Sequence, residues 1–216
     1  MNVTVLGAGA WGTALAKLLR EAGHEVTLWA HDPAHLAALR ETGVNERHLP
    51  GVRLPGGLRY TEDAAQAVRG AGEVIVAVPS RAFRQVAATL AEFRGIAVTV
   101  TKGIEHDTGL TMTGVLRACA PRARVAALSG PSLALEVARG IPTAIVAASA
   151  DAAPGRYDSS TSPPAARTSA SAGGCASLSG TRSMASSTSP TAPPSSGTTL
   201  SALRPHRSKN TLRASE

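Results

Sequence analysis

The sequence predicts an α/β protein: a doubly wound parallel sheet over residues 1–150, followed by a disordered low-complexity tail over 151–216. Three observations carry this. Short β-branched or aliphatic runs alternate with longer stretches of helical periodicity, the pattern that crossover units leave in a sequence. A glycine-rich turn, Gly7-Ala8-Gly9-Ala10-Trp11-Gly12, joins the first run to the first helical stretch. Apolar character then stops near Asp151: the last 63 residues contain no Val, Ile, Phe or Trp, and 24 of them are Ser or Thr. Such a segment buries too little apolar area to offset the entropy of ordering it.

Each element follows from local chemistry. Strands are expected at 3–6, 26–29, 74–78, 96–101, 125–128 and 144–147, all brief and apolar enough to be covered on both faces. A helix over 11–22 places Leu15, Leu18, Leu19 and Ala22 at helical spacing and ends on Gly23, which tolerates a left-handed backbone. Asp32 before Pro33 is an N-cap with proline in the first turn, opening a helix to about Arg40 with Leu36 and Leu39 on one face and Gly43 beyond its end. Thr61 with Glu62 and Asp63 opens a short helix, and further helices are expected at 81–93 and 110–119, the last before Pro121. Residues 43–57, with two Pro-Gly pairs, read as a long surface connection.

Composition narrows the function. Residues 1–153 carry 15 Lys and Arg against 13 Asp and Glu, while the last 63 carry 7 against 2, so most of the net +7 belongs to the tail. Those 7 cations are spread out with a single Tyr between them, which gives salt-sensitive attraction to nucleic acid and no specific recognition. The tail's Ser, Thr, Pro, Ala and Arg also match what GC-rich codons give in a shifted reading frame, and coding DNA separates that origin from a disordered appendage. No apolar run approaches the roughly 20 residues of a membrane span. Met1 to Leu6 lacks the basic start and cleavage site of a secretory signal. Cys119 and Cys175 are too few for a disulfide framework or a metal site, which fits a cytoplasmic location.

The glycine turn carries the strongest chemical signal. Gly7 permits the tight turn, Gly9 lets the backbone approach a pyrophosphate, and Gly12 lets the helix pack closely on the strand. The helix N-terminus adds free N–H groups and partial positive charge, so the segment reads as a dinucleotide-binding loop. At the end of the second strand, where an acid would bind a ribose diol or a cation a 2′-phosphate, stand His31 and Asp32. Asp32 is committed to capping the next helix. His31 either faces a phosphate, favouring NADP over NAD, or is a solvated loop residue.

Lys102 stands just past a strand's carboxyl end, the edge where open α/β sheets bind ligands, and its charge suits a phosphate or a polarised carbonyl. An ordinary surface lysine is the competing reading. Ser132, after Gly130-Pro131, is either a ligand residue or the N-cap of the next helix.

The opening Gly7 to Ala16, with Gly23-His24-Glu25-Val26, Leu28-Trp29 and His31-Asp32, resembles the bacterial NAD(P)-dependent sn-glycerol-3-phosphate dehydrogenases. The similarity continues in order through Leu49-Pro50-Gly51, Val78-Pro79-Ser80, Thr101-Lys102-Gly103-Ile104-Glu105, Ser129-Gly130-Pro131-Ser132 and Gly140-Ile141-Pro142-Thr143-Ala144, covering residues 1 to about 150. The resemblance implies a Rossmann-like domain and reduction of dihydroxyacetone phosphate to sn-glycerol 3-phosphate, a phospholipid precursor. It implies Ala10, Trp11, His31, Lys102 and Ala134 at the nicotinamide cofactor, and Lys102, Gly130 and Ser132 at the substrate.

Two departures from the family pattern follow. Leu135 stands where the family commonly has a lysine. The family's second, helical domain begins with Gly-Gly-x-x-Lys-Asn, whose lysine acts in proton transfer. That segment does not occur in the 216 residues; Lys209-Asn210 lies too far along to match, so no catalytic residue is assigned. The expected function is therefore a glycerol-3-phosphate dehydrogenase by resemblance, with this chain nearly inactive. The alternatives are a cofactor-binding fragment without turnover and a related dehydrogenase of another small acid or phosphate. Oligomeric state is not legible.

Overall fold

The computed structural model describes residues 1–149; the expected disordered tail over 151–216 lies outside the described residues. Nine strands and six helices follow in chain order: β1 (Asn2–Leu6), α1 (Ala10–Glu21), β2 (Glu25–Trp29), α2 (Pro33–Thr42), β3 (Val44–Asn45), β4 (Leu49–Arg53), β5 (Arg59–Thr61), α3 (Ala64–Val68), β6 (Glu73–Val76), α4 (Ser80–Ala87), β7 (Ile96–Thr99), α5 (Met112–Cys119), β8 (Arg124–Ser129), α6 (Ala134–Ala138) and β9 (Val146–Ser149). Seven strands form one sheet in the order β5-β2-β1-β6-β7-β8-β9. All neighbours are parallel except β8 and β9.

Alternation along the central strands makes the sheet two-sided. Val3, Val5, Val26 and Leu28 meet Leu15, Ala16, Leu36 and Leu39 of α1 and α2 on one face. Leu6, Trp29, Val74 and Val76 meet Phe83, Val86, Met112, Val115 and Leu116 of α4 and α5 on the other. Each fully buried aliphatic or aromatic side chain contributes roughly 1.5–3 kcal/mol, so both layers are needed to hold the sheet.

Local signals hold where they are strongest. Asp32 caps α2 through Oδ1, which accepts from the Ala34 and His35 amides at 3.0 and 3.3 Å. Gly43 ends that helix in the left-handed region, at φ +66°. Other expectations need correction. Leu18 is 39% exposed, because the buried stripe of α1 runs through residues 12–16. The short helix is capped by Asp63, whose Oδ1 accepts from the Gln66 amide, while Thr61 belongs to β5. That edge strand is unforeseen in the sequence. Helix α4 ends at Ala87 and yields to a single 3₁₀ turn, Ala88–Leu90.

Residues 43–57 are not the plain surface connection expected: within them Val44–Arg53 form the β3–β4 hairpin, whose Leu49 and Val52 are buried against Ala14 of α1 and Ala138 of α6 while the turn itself is exposed. The last strand is also corrected: β9 begins at Val146 and runs antiparallel to β8, with Ser129 opposite Val146. Because α6 is short and packs against α1, the chain never returns across the sheet to its amino edge, and the final strand must run backwards.

Among the described residues no helix is long and apolar enough to cross a membrane.

Candidate functional site

Strand order reverses between β1 and β6, and ligands of open α/β sheets bind at the carboxyl edge of such a reversal. The glycine turn lies there. Gly7 has φ +124°, and a Cβ on it would sit 2.5 Å from the Ala77 carbonyl oxygen. A Cβ on Gly12 would overlap the Gly7 carbonyl oxygen and lie 3.2 Å from Ala77 Cβ. Gly9 is different: its backbone is extended and a Cβ there would meet no protein atom within 4 Å. Gly7 and Gly12 thus serve packing, whereas the space before Gly9 opens on the first turn of α1. The leading amides of that helix, at Ala10, Trp11 and Gly12, have no carbonyl within the helix to receive them. A pyrophosphate fits this cradle.

Asn45 holds the loop in shape, a role the sequence did not disclose. Its buried Nδ2 donates to the Ala8 carbonyl at 3.0 Å and to Thr13 Oγ1 at 2.7 Å, and its Oδ1 accepts from the His48 amide. One amide side chain therefore locks the hairpin turn to the glycine turn. No periodicity marks a lone Asn 32 residues from its partner.

The remaining expected residues divide by position. His31 is exposed beyond β2, and Asp32 beside it is ion-paired to Arg47 at 3.2 Å. The Asp32 carboxyl is held below the usual carboxylate range, chiefly by the His35 amide. Trp11 packs half-buried on the α1–α2 layer, and Ala134 packs beside Ala14 of α1. Lys102 and Gly130, 28 residues apart, meet at the carboxyl ends of β7 and β8, with Nζ 3.5 Å from the Gly130 carbonyl oxygen. Ser132 does not cap α6: Leu133 holds the N-cap position, with no side-chain cap.

The loop carrying Lys102 has a buttress that sequence reasoning passed over. Glu105 accepts from Arg84 Nε at 2.8 Å and Nη2 at 2.6 Å, and from Thr108 Oγ1 at 2.5 Å. Thr101 Oγ1 donates to the Val78 carbonyl at 2.7 Å, tying the same loop to the end of β6. These bonds, led by the one from Arg84, pull the Glu105 carboxyl from 4.5 down to about 2. A folded value below the unfolded one means that the pair stabilises fully above about pH 4.5 and progressively less down to about pH 2. Thermal unfolding of Glu105→Gln should therefore occur below that of the wild type at neutral pH, with the two converging as the pH falls to about 2. A gap that stays constant with pH would contradict this.

A glycine turn that opens a helix N-terminus at the strand-order reversal of a doubly wound sheet defines a dinucleotide-binding domain. Residues 2–154 match the family described as NAD-dependent glycerol-3-phosphate dehydrogenase N-terminus, and the chain belongs to it. It is 46% identical over 155 residues to the glycerol-3-phosphate dehydrogenase [NAD(P)+] of Rhodopseudomonas palustris (strain BisB5), covering 70% of this chain and 46% of that protein. To the Moorella thermoacetica protein of the same name it is 48% identical over 159 residues, covering 72% and 47%. The solved glycerol-3-phosphate dehydrogenase of Coxiella burnetii superposes with a TM-score of 0.65 at 33% identity, over 69% of this chain and 47% of that one. The chain thus spans about half the length of the relatives it matches.

Proposed function

We propose that residues 1–150 are the cofactor-binding half of an oxidoreductase that interconverts dihydroxyacetone phosphate and sn-glycerol 3-phosphate with NAD(P)H. The observation that carries this is the meeting of the Thr101–Glu105 and Ser129–Ser132 segments, through Lys102 and Gly130, on the same sheet edge as the glycine turn. In this reading Gly7, Gly9 and Gly12 shape the pyrophosphate cradle, Ala10 and Trp11 sit at its first helical turn, and His31 and Ala134 flank the cofactor. The nicotinamide, when bound, supplies or accepts the hydride. Lys102 offers its ammonium to the substrate's phosphate or to the ketone oxygen, and Gly130 and Ser132 line the place where that substrate rests. Residues 151–216 are assigned no part in binding.

Isothermal calorimetry on the 216-residue chain tests the reading. NADPH should bind at least as tightly as NADH, because the one acid beside His31 is already spent on the α2 cap and Arg47. Binding of neither nucleotide would sink the proposal.

A further inference from the structure

The cofactor's ribose end offers an observation that the glycine turn does not explain. In a dinucleotide fold the group beyond the second strand meets the adenosine ribose and sets the choice between a free 2′-hydroxyl and a 2′-phosphate. Here the acid at that place is fully engaged. Asp32 Oδ1 accepts from two amides of α2, and Oδ2 faces Arg47 Nη1 at 3.2 Å. The same bonds use up the α2 amides that would otherwise attract an anion, so helix α2 supplies neither a diol acceptor nor a phosphate site. Any charge selection must come from side chains beside it.

Arg47 is the side chain so placed. It stands in the turn between β3 and β4, and Asn45, at the end of β3 where that turn begins, is bonded to both Ala8 of the phosphate loop and Thr13 of α1. The pyrophosphate cradle and the Arg47 backbone therefore belong to one braced unit. A guanidinium has five N–H donors, and the contact with Asp32 engages one of its nitrogens, leaving the rest of the fork free. The side chain is 64% exposed, so the fork opens to solvent beyond β2.

Resting on the dinucleotide reading, we infer that Arg47 is the residue that selects a 2′-phosphorylated adenosine, with Asp32 acting as its positioning partner. The guanidinium donates charge-assisted, paired N–H···O bonds to the phosphate oxygens, which a neutral ribose hydroxyl cannot match. Asp32 both aims the fork and, neutralised by it, ceases to attract a ribose diol. His31 then has a secondary part in the choice.

Competitive binding to the full chain, with adenosine 2′,5′-bisphosphate against AMP and NADPH against NADH, reads this directly. Arg47→Gln should lower the 2′-phosphate preference at least about tenfold, with AMP and NADH affinities unchanged or raised as Asp32 Oδ2 is released. The side chain is exposed and remote from the core, and an unchanged melting temperature will confirm intact folding. His31→Ala should change the preference less than Arg47→Gln does. Glu46→Gln, which removes the adjoining charge on the same turn, should shift it only slightly.

An unaltered preference in Arg47→Gln, with both nucleotides still bound, would overturn the inference and leave the dinucleotide reading standing. An equal and opposite shift in Glu46→Gln would assign the preference to the general field of the turn and would also overturn it. Loss of NADH binding in Asp32→Asn, with folding intact, would show that Asp32 serves the ribose diol after all. If the wild type binds neither nucleotide, the dinucleotide reading fails and the inference falls with it.

Discussion

The 216-residue polypeptide is expected to reduce dihydroxyacetone phosphate at least about a hundredfold more slowly than a full-length member of its family, with NADPH saturating. Hydride transfer to a ketone leaves an alkoxide that needs a proton, and a positioned acid contributes roughly 10²–10⁴-fold to such a step. Lys102 is a poor substitute. It is exposed, and its Nζ rests 3.5 Å from a carbonyl oxygen, so it polarises a substrate in a hydrated setting where electrostatic stabilisation is weak. Apolar side chains on the segment after β8, Leu133 at 64% exposure and Ile141 at 49%, face solvent. Positioning and water exclusion are further large terms that an open edge does not supply. Steady-state NADPH oxidation decides the matter, with a chimera joining residues 1–150 to the second half of a relative as the comparison. Restored turnover in the chimera alone supports the argument; equal turnover in both would show that the 216 residues suffice.

Two glycines of one motif are expected to fail in opposite ways. Gly9→Val should lower nucleotide affinity by two orders of magnitude or more, because its side chain would fill the open space before the first turn of α1. Its backbone is already extended and makes no side-chain cap, so the melting temperature should fall little, with a cost within about 1 kcal/mol. Gly12→Ala is the reverse case. The new methyl would overlap the Gly7 carbonyl and press on Ala77, which are backbone and strand-end atoms with no room to retreat. Overpacking of this kind costs on the order of 3 kcal/mol, or roughly 10 °C in Tm for a domain of this size. Differential scanning fluorimetry alongside calorimetry separates the two. Should Gly9→Val keep its affinity, or Gly12→Ala its stability, the division of roles within the turn would be wrong.

The sequence by itself determined what a few neighbouring residues can encode. Val3, Val5 and Leu6 before Gly7 announce β1 and its turn, and Asp32-Pro33 announces the capped start of α2. The placing of Lys102 just past a strand end came from the same local alternation. Each is a matter of dihedral preference and periodicity within one or two turns of chain, which survives without knowledge of neighbours. The tertiary structure alone decided the rest. Residues 43–57, rich in glycine and proline, look like a surface loop until Leu49 and Val52 are seen to be buried against Ala14 and Ala138. The backward course of β9 depends on α6 packing on α1, and no pattern within 146–149 records direction. Asn45 to Thr13, Arg84 to Glu105 and Lys102 to Gly130 join residues 32, 21 and 28 positions apart. A hydrogen bond across such a distance is set by how strands are ordered and how far each helix carries the chain, and the composition of either partner's own segment holds no trace of it.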